Sequence, residues 1–248
     1  MSERTIPDWL TAWEFAHRGL HNGTTLIENS LSAAKAAIAA GMGIECDIQR
    51  SGDDHPMVFH DWELSRLTSV EGLTAQHSRA ALEQLTLGHT DDLIPSFETF
   101  LQMVDGRAPL LIELKSLPDY DVERSCEIVA ASLAGYAGDH AVMSFDPRVS
   151  GWFAEHSRAT TRGLVCTDTL DHGWLSKWRE AGVLEACQPD FLACDIRDLP
   201  SDMASEWRAS GKPLLTWTVR SAELRERALR ETDALISEGA GLARASLA

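Results

Sequence analysis

Residues 29–48, "NSLSAAKAAIAAGMGIECDI", read as a helix followed by a strand. The first part sets apolar residues at helical spacing behind Asn29 and Ser30, residues that favour helix starts. The last part, "GIECDI", is short and β-rich. The same alternation extends in both directions from here. Upstream lies "EFAH"; downstream follow "LLIELK", "HAVMSF", "TRGLVCT", "DFLACD", "PLLTWTV" and "TDALIS", with helical stretches such as "DYDVERSCEIVAASLAG" and "SAELRERALRE" between them. A strand that passes through a helix returns beside a parallel neighbour, so eight such units over 248 residues predict a (β/α)8 TIM barrel. No G-x-G-x-x-G follows the first strand, which removes the commonest motif-level reason to prefer an open dinucleotide-binding sheet.

One interval is too long for an ordinary loop. After the second strand, "SGDDHPMVFHD" reads as a turn and a further extended segment, and "SRAALEQLTLGHTDDLIPSFETFLQMV" adds a helix, a loop and a second helix. We expect an insertion over roughly residues 61–108, on the barrel face where loops carry function, within a single domain that uses residues 1–248.

Composition narrows the function. Acidic residues outnumber basic ones 38 to 22, for a net charge of -16 and a pI near 4.9, which opposes binding to nucleic acid and to anionic membrane surfaces. The five cysteines Cys46, Cys126, Cys166, Cys187 and Cys194 include no C-x-x-C pair, so buried or free thiols are expected in place of a disulfide framework or a zinc site. The opening "MSERTIPDWLTAWEF" lacks a basic region followed by an apolar core, and no later segment approaches the roughly 18 uninterrupted apolar residues of a membrane span. A cytoplasmic protein without stable membrane association is the expectation. The apolar faces in the pattern are all taken up by barrel and helices, which leaves the oligomeric state open.

The strand ends carry the chemistry. Glu45 and Asp47 are two residues apart, so on a strand they share a face, and Glu113 and Lys115 repeat the arrangement. His17 and Arg18 end the first strand, and His60 with Asp61 ends the extended segment after the second. On a barrel all of these emerge at one rim. Inward-facing carboxylates repel and are costly to bury, and a hard divalent cation among Glu45, Asp47 and Glu113 would relieve both problems. The structural alternative is that these acids sit in solvent or pair with Lys115 and arginines. With two histidines for proton transfer and Arg18 and Lys115 for phosphate oxygens, the set reads as a phosphodiester site, and Gly19 lets the backbone bend close to a ligand.

In order, "HRG", "ENS", "ECD", "VFHD", "IELK" and "WTV" resemble the glycerophosphodiester phosphodiesterase family, whose usual pattern is HRG, P-E-N-T, E-x-D, HD and E-x-K. The resemblance implies a metal-dependent barrel hydrolase that cuts a small-molecule glycerophosphodiester to glycerol 3-phosphate and an alcohol. It implies His17 and His60 as general base and general acid, Glu45, Asp47 and Glu113 as ligands to one divalent cation, Mg²⁺ or Ca²⁺, and Arg18 and Lys115 as phosphate contacts. It further implies attack by a glycerol hydroxyl to give a cyclic phosphate that water opens. Glu28 and Asn29 lie near the rim, Asn29 as a helix N-cap or as a substrate contact. Phe145 and Trp217, at the ends of strands four and seven, could wall the pocket or pack in the core. Trp174, Trp178 and Trp207 are assigned to packing, and His21, His55, His77, His89, His140, His156 and His172 to surface or structural places. The sequence departs from the family in three places: Ile27 for proline, Ser30 for threonine, and Ser237–Glu238 where Thr-Asp and then proline are expected, so strand eight is expected to differ at the rim and in substrate preference. The alternatives are a lysophospholipase D-type or cyclic-phosphate-forming enzyme, and a non-catalytic phosphoester-binding barrel.

Overall fold

Each of the eight β-rich runs is a strand, and they close on themselves. The computed structural model describes residues 5–168 and 178–243. The strands are β1 (Phe15–Ala16), β2 (Gly43–Arg50), β3 (Pro56–Val58), β4 (Leu110–Leu114), β5 (His140–Ser144), β6 (Thr161–Cys166), β7 (Phe191–Asp195), β8 (Leu214–Val219) and β9 (Ala234–Ser237). All neighbours pair in parallel except β3, which folds back antiparallel on β2, and β1 pairs with both β2 and β9 to shut the barrel. The helices are α1 (Trp9–Ala12), α2 (Leu31–Ala39), α3 (Arg79–Leu82), α4 (Phe97–Val104), α5 (Val122–Leu133), α6 (Pro147–His156), α7 (Val183–Cys187), α8 (Asp202–Ala209) and α9 (Ala222–Glu231). No described helix is long and apolar enough to cross a membrane.

Period-two alternation sorts the side chains into two cores. Phe15, Leu111, Ala141, Met143, Val165, Phe191, Ala193 and Ile236 fill the barrel interior, with Leu10 of α1 packed against them. Gly163 is small because Phe191 is large: a Cβ there would fall 2.3 Å from the ring. The opposite strand faces, Ile44, Cys46, Ile112, Leu114 and Val142 among them, pack under the helices. With the lower interior filled by hydrocarbon, polar inward positions occur toward the strand C-termini.

Within the segment expected as an insertion, the second helix has a different role. Phe97, Phe100, Leu101 and Val104 of α4 are buried in the main core, so α4 serves as the crossover from β2 to β4. The additional material is residues 51–96, which hold a small core of their own around Met57, Phe59, Leu64, Leu82, Leu87 and Ile94. Ile27, the replacement for proline, is buried in that core. All five cysteines are buried and free. Trp178 is buried, and Trp207 packs beside the same core while its indole N–H donates to the Pro213 carbonyl. Trp174 and His172 lie outside the described residues.

Candidate active site

The carboxylates meet because of register. Asp47 and Glu113 are direct partners on β2 and β4, and Glu45 lies two residues back on the same face. Their oxygens come within 4.8 Å of one another. The Glu45 carboxyl sits well above the ordinary range, first because it is buried and then because Asp47 and Glu113 crowd it with charge. Its Oε1 is buried without a hydrogen-bond partner. Asp47 goes the other way: burial opposes ionisation, but Lys115, His60 and Arg18 hold the carboxylate well below the ordinary range. An oxygen-rich cluster with an orphaned, charge-crowded acceptor fits a hard divalent cation.

The HRG turn is built tightly against this cluster. Arg18 (φ 56°) and Asn29 (φ 60°) both adopt the left-handed region, uncommon for residues with a side chain. The Asn29 N–H donates to the Arg18 carbonyl at 2.8 Å, and the Arg18 N–H donates to Glu45 Oε2 at 2.9 Å. The Asn29 amide donates to Asp47 Oδ2 at 2.9 Å and accepts from the Asp47 N–H at 3.1 Å, so Asn29 is neither the N-cap nor a group aimed at substrate. Ser30 takes the cap, accepting from the Ala33 N–H at 3.0 Å. Gly19 (φ 79°) is needed for close packing against α2, where a Cβ would approach the Ala33 backbone to 2.9 Å. Its room is therefore spent on the helix.

The two histidines are each held at Nδ1. His17 is buried, and its Nδ1 lies 2.5 Å from Glu238 Oε2 while Nε2 is 4.0 Å from Glu45 Oε2. Burial lowers the His17 pKa below its ordinary value although Glu238 pulls it upward. His60 is more open, with Nδ1 2.6 Å from Asp61 Oδ1. Lys115 Nζ donates to Glu113 Oε1 at 2.8 Å and lies 3.3 Å from Asp47 Oδ1. Burial works against its charge, but these acids raise its pKa above the ordinary lysine value.

Glu28 is engaged by two guanidiniums. Arg18 Nη1 donates to it at 2.6 Å, and Arg66, from the added segment, binds both of its oxygens and both oxygens of Asp61. A cavity of about 480 Å³ opens over the rim, lined by His17, Arg18, His60, Glu113, Lys115, Phe145 and Trp217. Phe145 and Trp217 meet edge to face at 5.3 Å and form one wall. Two larger hollows, of about 650 and 630 Å³, share none of these residues.

Three contributors were not singled out in the sequence: Trp62 and Arg220 line the cavity, and Arg66 ties Asp61 to Glu28. Glu238, marked there only as a departure, holds His17. His21, assigned above to the surface or a structural place, does not line the cavity, and its Nε2 lies 3.4 Å from Glu238 Oε2. The Ser237–Glu238 departure was the available signal, and only closure of β9 on β1 places it beside His17.

Known proteins resemble this chain in sequence and in fold. A glycerophosphodiester phosphodiesterase of Bacillus altitudinis is 31% identical over 108 residues, 41% of this chain and 43% of its own length, so the chain matches less than half of that relative. A phosphodiesterase of Oleispira antarctica, solved in complex with its product sn-glycerol-3-phosphate, shares the fold with a TM-score of 0.77 at 23% identity, covering 91% of this chain and 92% of that one. The Thermotoga maritima glycerophosphodiester phosphodiesterase superposes with a TM-score of 0.72 at 22% identity, over 90% and 92% of the two chains. The model of the glycerophosphoryl diester phosphodiesterase family matches residues 17–238, from the first histidine of the rim to the glutamate that holds it, and the chain belongs to that family.

Proposed function

We propose that this chain is a metal-dependent phosphodiesterase that hydrolyses glycerophosphodiesters to glycerol 3-phosphate and an alcohol. One observation carries the reading: His17 and His60, each tethered at Nδ1 by a carboxylate, line one cavity with Arg18, Lys115 and a member of the carboxylate cluster. Family membership supports it, as does the product bound in the Oleispira antarctica relative. Glu45, Asp47 and Glu113 would hold one divalent cation, Mg²⁺ or Ca²⁺. When bound, the cation supplies neutralisation of charge developing on the phosphoryl oxygens.

The protein's own groups do the rest. Arg18 offers a planar fork and Lys115 a point charge; each keeps donors beyond those spent on Glu28 and Glu113, and these bind phosphate oxygens. Burial keeps His17 neutral near neutral pH, and Glu238 at Nδ1 leaves Nε2 to take the proton of the attacking oxygen. His60, held at Nδ1 by Asp61, gives a proton to the departing alkoxide. In the two-step route that the resemblance implies, a glycerol hydroxyl attacks phosphorus and the alcohol leaves; water then opens the cyclic phosphate with the proton transfers reversed. Phe145 and Trp217 wall the cavity against the glycerol or the leaving group. A cytoplasmic location is proposed with this activity, supported by five free cysteines, which suit a reducing compartment.

The test is release of glycerol 3-phosphate from glycerophosphocholine, -ethanolamine, -glycerol and -inositol by metal-stripped protein, with Mg²⁺, Mn²⁺ or Ca²⁺ added back. Metal-restored turnover of at least one is expected. Metal binding without release from any of them would overturn the hydrolytic reading.

A further inference from the structure

The rim holds a second cluster with a different donor set. His17, His21 and Glu238 each present one ligand atom, all within 4.8 Å of one another. Both imidazoles converge on the same oxygen, Oε2 of Glu238, at 2.5 Å from His17 Nδ1 and 3.4 Å from His21 Nε2. Arg220 Nε donates to the other oxygen, Oε1, at 2.5 Å and so fixes the carboxylate while leaving Oε2 to the histidines. Nε2 donates to the carboxylate, while the remaining His21 nitrogen, Nδ1, is buried and has no hydrogen-bond partner, so the ring's proton can move to Nδ1 when an ion takes Nε2. Two imidazoles and one carboxylate are the donors of three-ligand zinc sites, in which ligand atoms lie about 3.3 Å apart around a tetrahedral ion. Small shifts from the observed separations reach that spacing.

We propose that His17, His21 and Glu238 form a site for a transition-metal ion of the zinc class, separate from the carboxylate site, and that its occupation switches off turnover. The inhibition, though not the binding, rests on the role given above to His17. The two sites are distinguished by chemistry: oxygen-only donors suit Mg²⁺ or Ca²⁺, whereas imidazole nitrogens select zinc and its neighbours. They flank the same ring. An ion on Nδ1 of His17 takes the position of the proton shared with Glu238, and the neutral ring then carries its one proton on Nε2. That nitrogen faces the carboxylate cluster, and with a proton already on it the ring cannot accept another from the attacking oxygen.

The experiment is a Zn²⁺ titration against a chromogenic chelator, on untagged protein saturated with Mg²⁺. One Zn²⁺ per chain is expected. His21→Ala and His21→Gln, checked for folding by circular dichroism, are expected to weaken Zn²⁺ binding at least about tenfold. They keep Mg²⁺-supported turnover, and the Zn²⁺ concentration that inhibits it rises by the same factor. Zn²⁺ binding unchanged in both variants, or competed away by Mg²⁺, would overturn the site. Binding that behaves as expected while Zn²⁺ leaves turnover untouched would overturn the switch. If wild-type protein turns over no glycerophosphodiester, the reading of the activity fails and the Zn²⁺ titration still decides the site.

Discussion

Two corners of the same rim hold a histidine at nearly the same distance, 2.5 Å from Glu238 to His17 and 2.6 Å from Asp61 to His60, by opposite means. The His17 corner is long-range. Glu238 follows β9, 221 residues away, and reaches the ring only because β1 pairs with β9 when the barrel closes. The His60 corner is local. Asp61 is the next residue, and its stiffness comes from Arg66, five residues on, which also grips Glu28. Burial differs accordingly, with 10% of the His17 side chain exposed against 28% for His60. A buried ring suits a base that must be neutral at rest, and a wetter ring beside its own carboxylate suits an acid that must be reprotonated in each cycle.

If both corners work as acid and base, His17→Ala and His60→Ala each lower kcat by about 10²-fold or more. Steady-state kinetics on a glycerophosphodiester checks this, and near-normal kcat in both would undo the assignment. The tethers separate the corners further. Glu238→Gln keeps the shape but removes the charge, and is expected to lower kcat by about 10- to 10²-fold with KM little changed, since Glu238 positions His17 and touches no substrate. Asp61→Asn is expected to cost less, because a ring as open as His60 exchanges hydrogen bonds with solvent when its carboxylate is lost. The reverse order would mean that exposure does not set the dependence of each ring on its carboxylate. Glu45→Gln probes the floor between the corners. It is expected to raise the metal concentration for half-maximal activity at least about tenfold, and an unchanged metal titration would remove Glu45 from the ligand set.

What the sequence made legible follows the same division. Glu45, Asp47, Glu113 and Lys115 could be aligned because strand alternation has a fixed period, and His60 with Asp61 because the pair is adjacent in the chain. Eight alternating units were enough for the barrel, since each strand-helix-strand return is a local pattern. Glu238 could be marked as a departure but not assigned a partner, because its contact exists only after closure. Asn29 illustrates a competition inside local rules: it and Ser30 both suit a helix cap, and the choice is made by the left-handed backbone at 29, which turns the amide toward Asp47. For α4, an apolar helical face reads the same in an excursion as in a crossover, and only its packing under β2 and β4 tells them apart.

The smallest expected effect concerns the strap behind His60. Burial alone would raise the Glu28 pKa, yet the bonds from Arg66 and the charge of Arg18 bring it to about 2, against an ordinary 4.5. A carboxyl whose folded pKa is depressed stabilises the fold fully above its unfolded value and loses that stabilisation as pH falls, here from about 4.5 toward 2. Glu28→Gln keeps the shape and does not titrate. Between about pH 5 and pH 3 the wild-type protein should therefore lose about 1 kcal/mol more stability than the variant, a figure reduced from the full linkage value because half of the Arg66 side chain is in solvent. Urea midpoints at the two pH values measure it. Parallel acid limbs would mean that Arg66 does not hold Glu28 in solution, and the His60 corner would then rest on Asp61 alone, with the added segment contributing only its wall of the cavity.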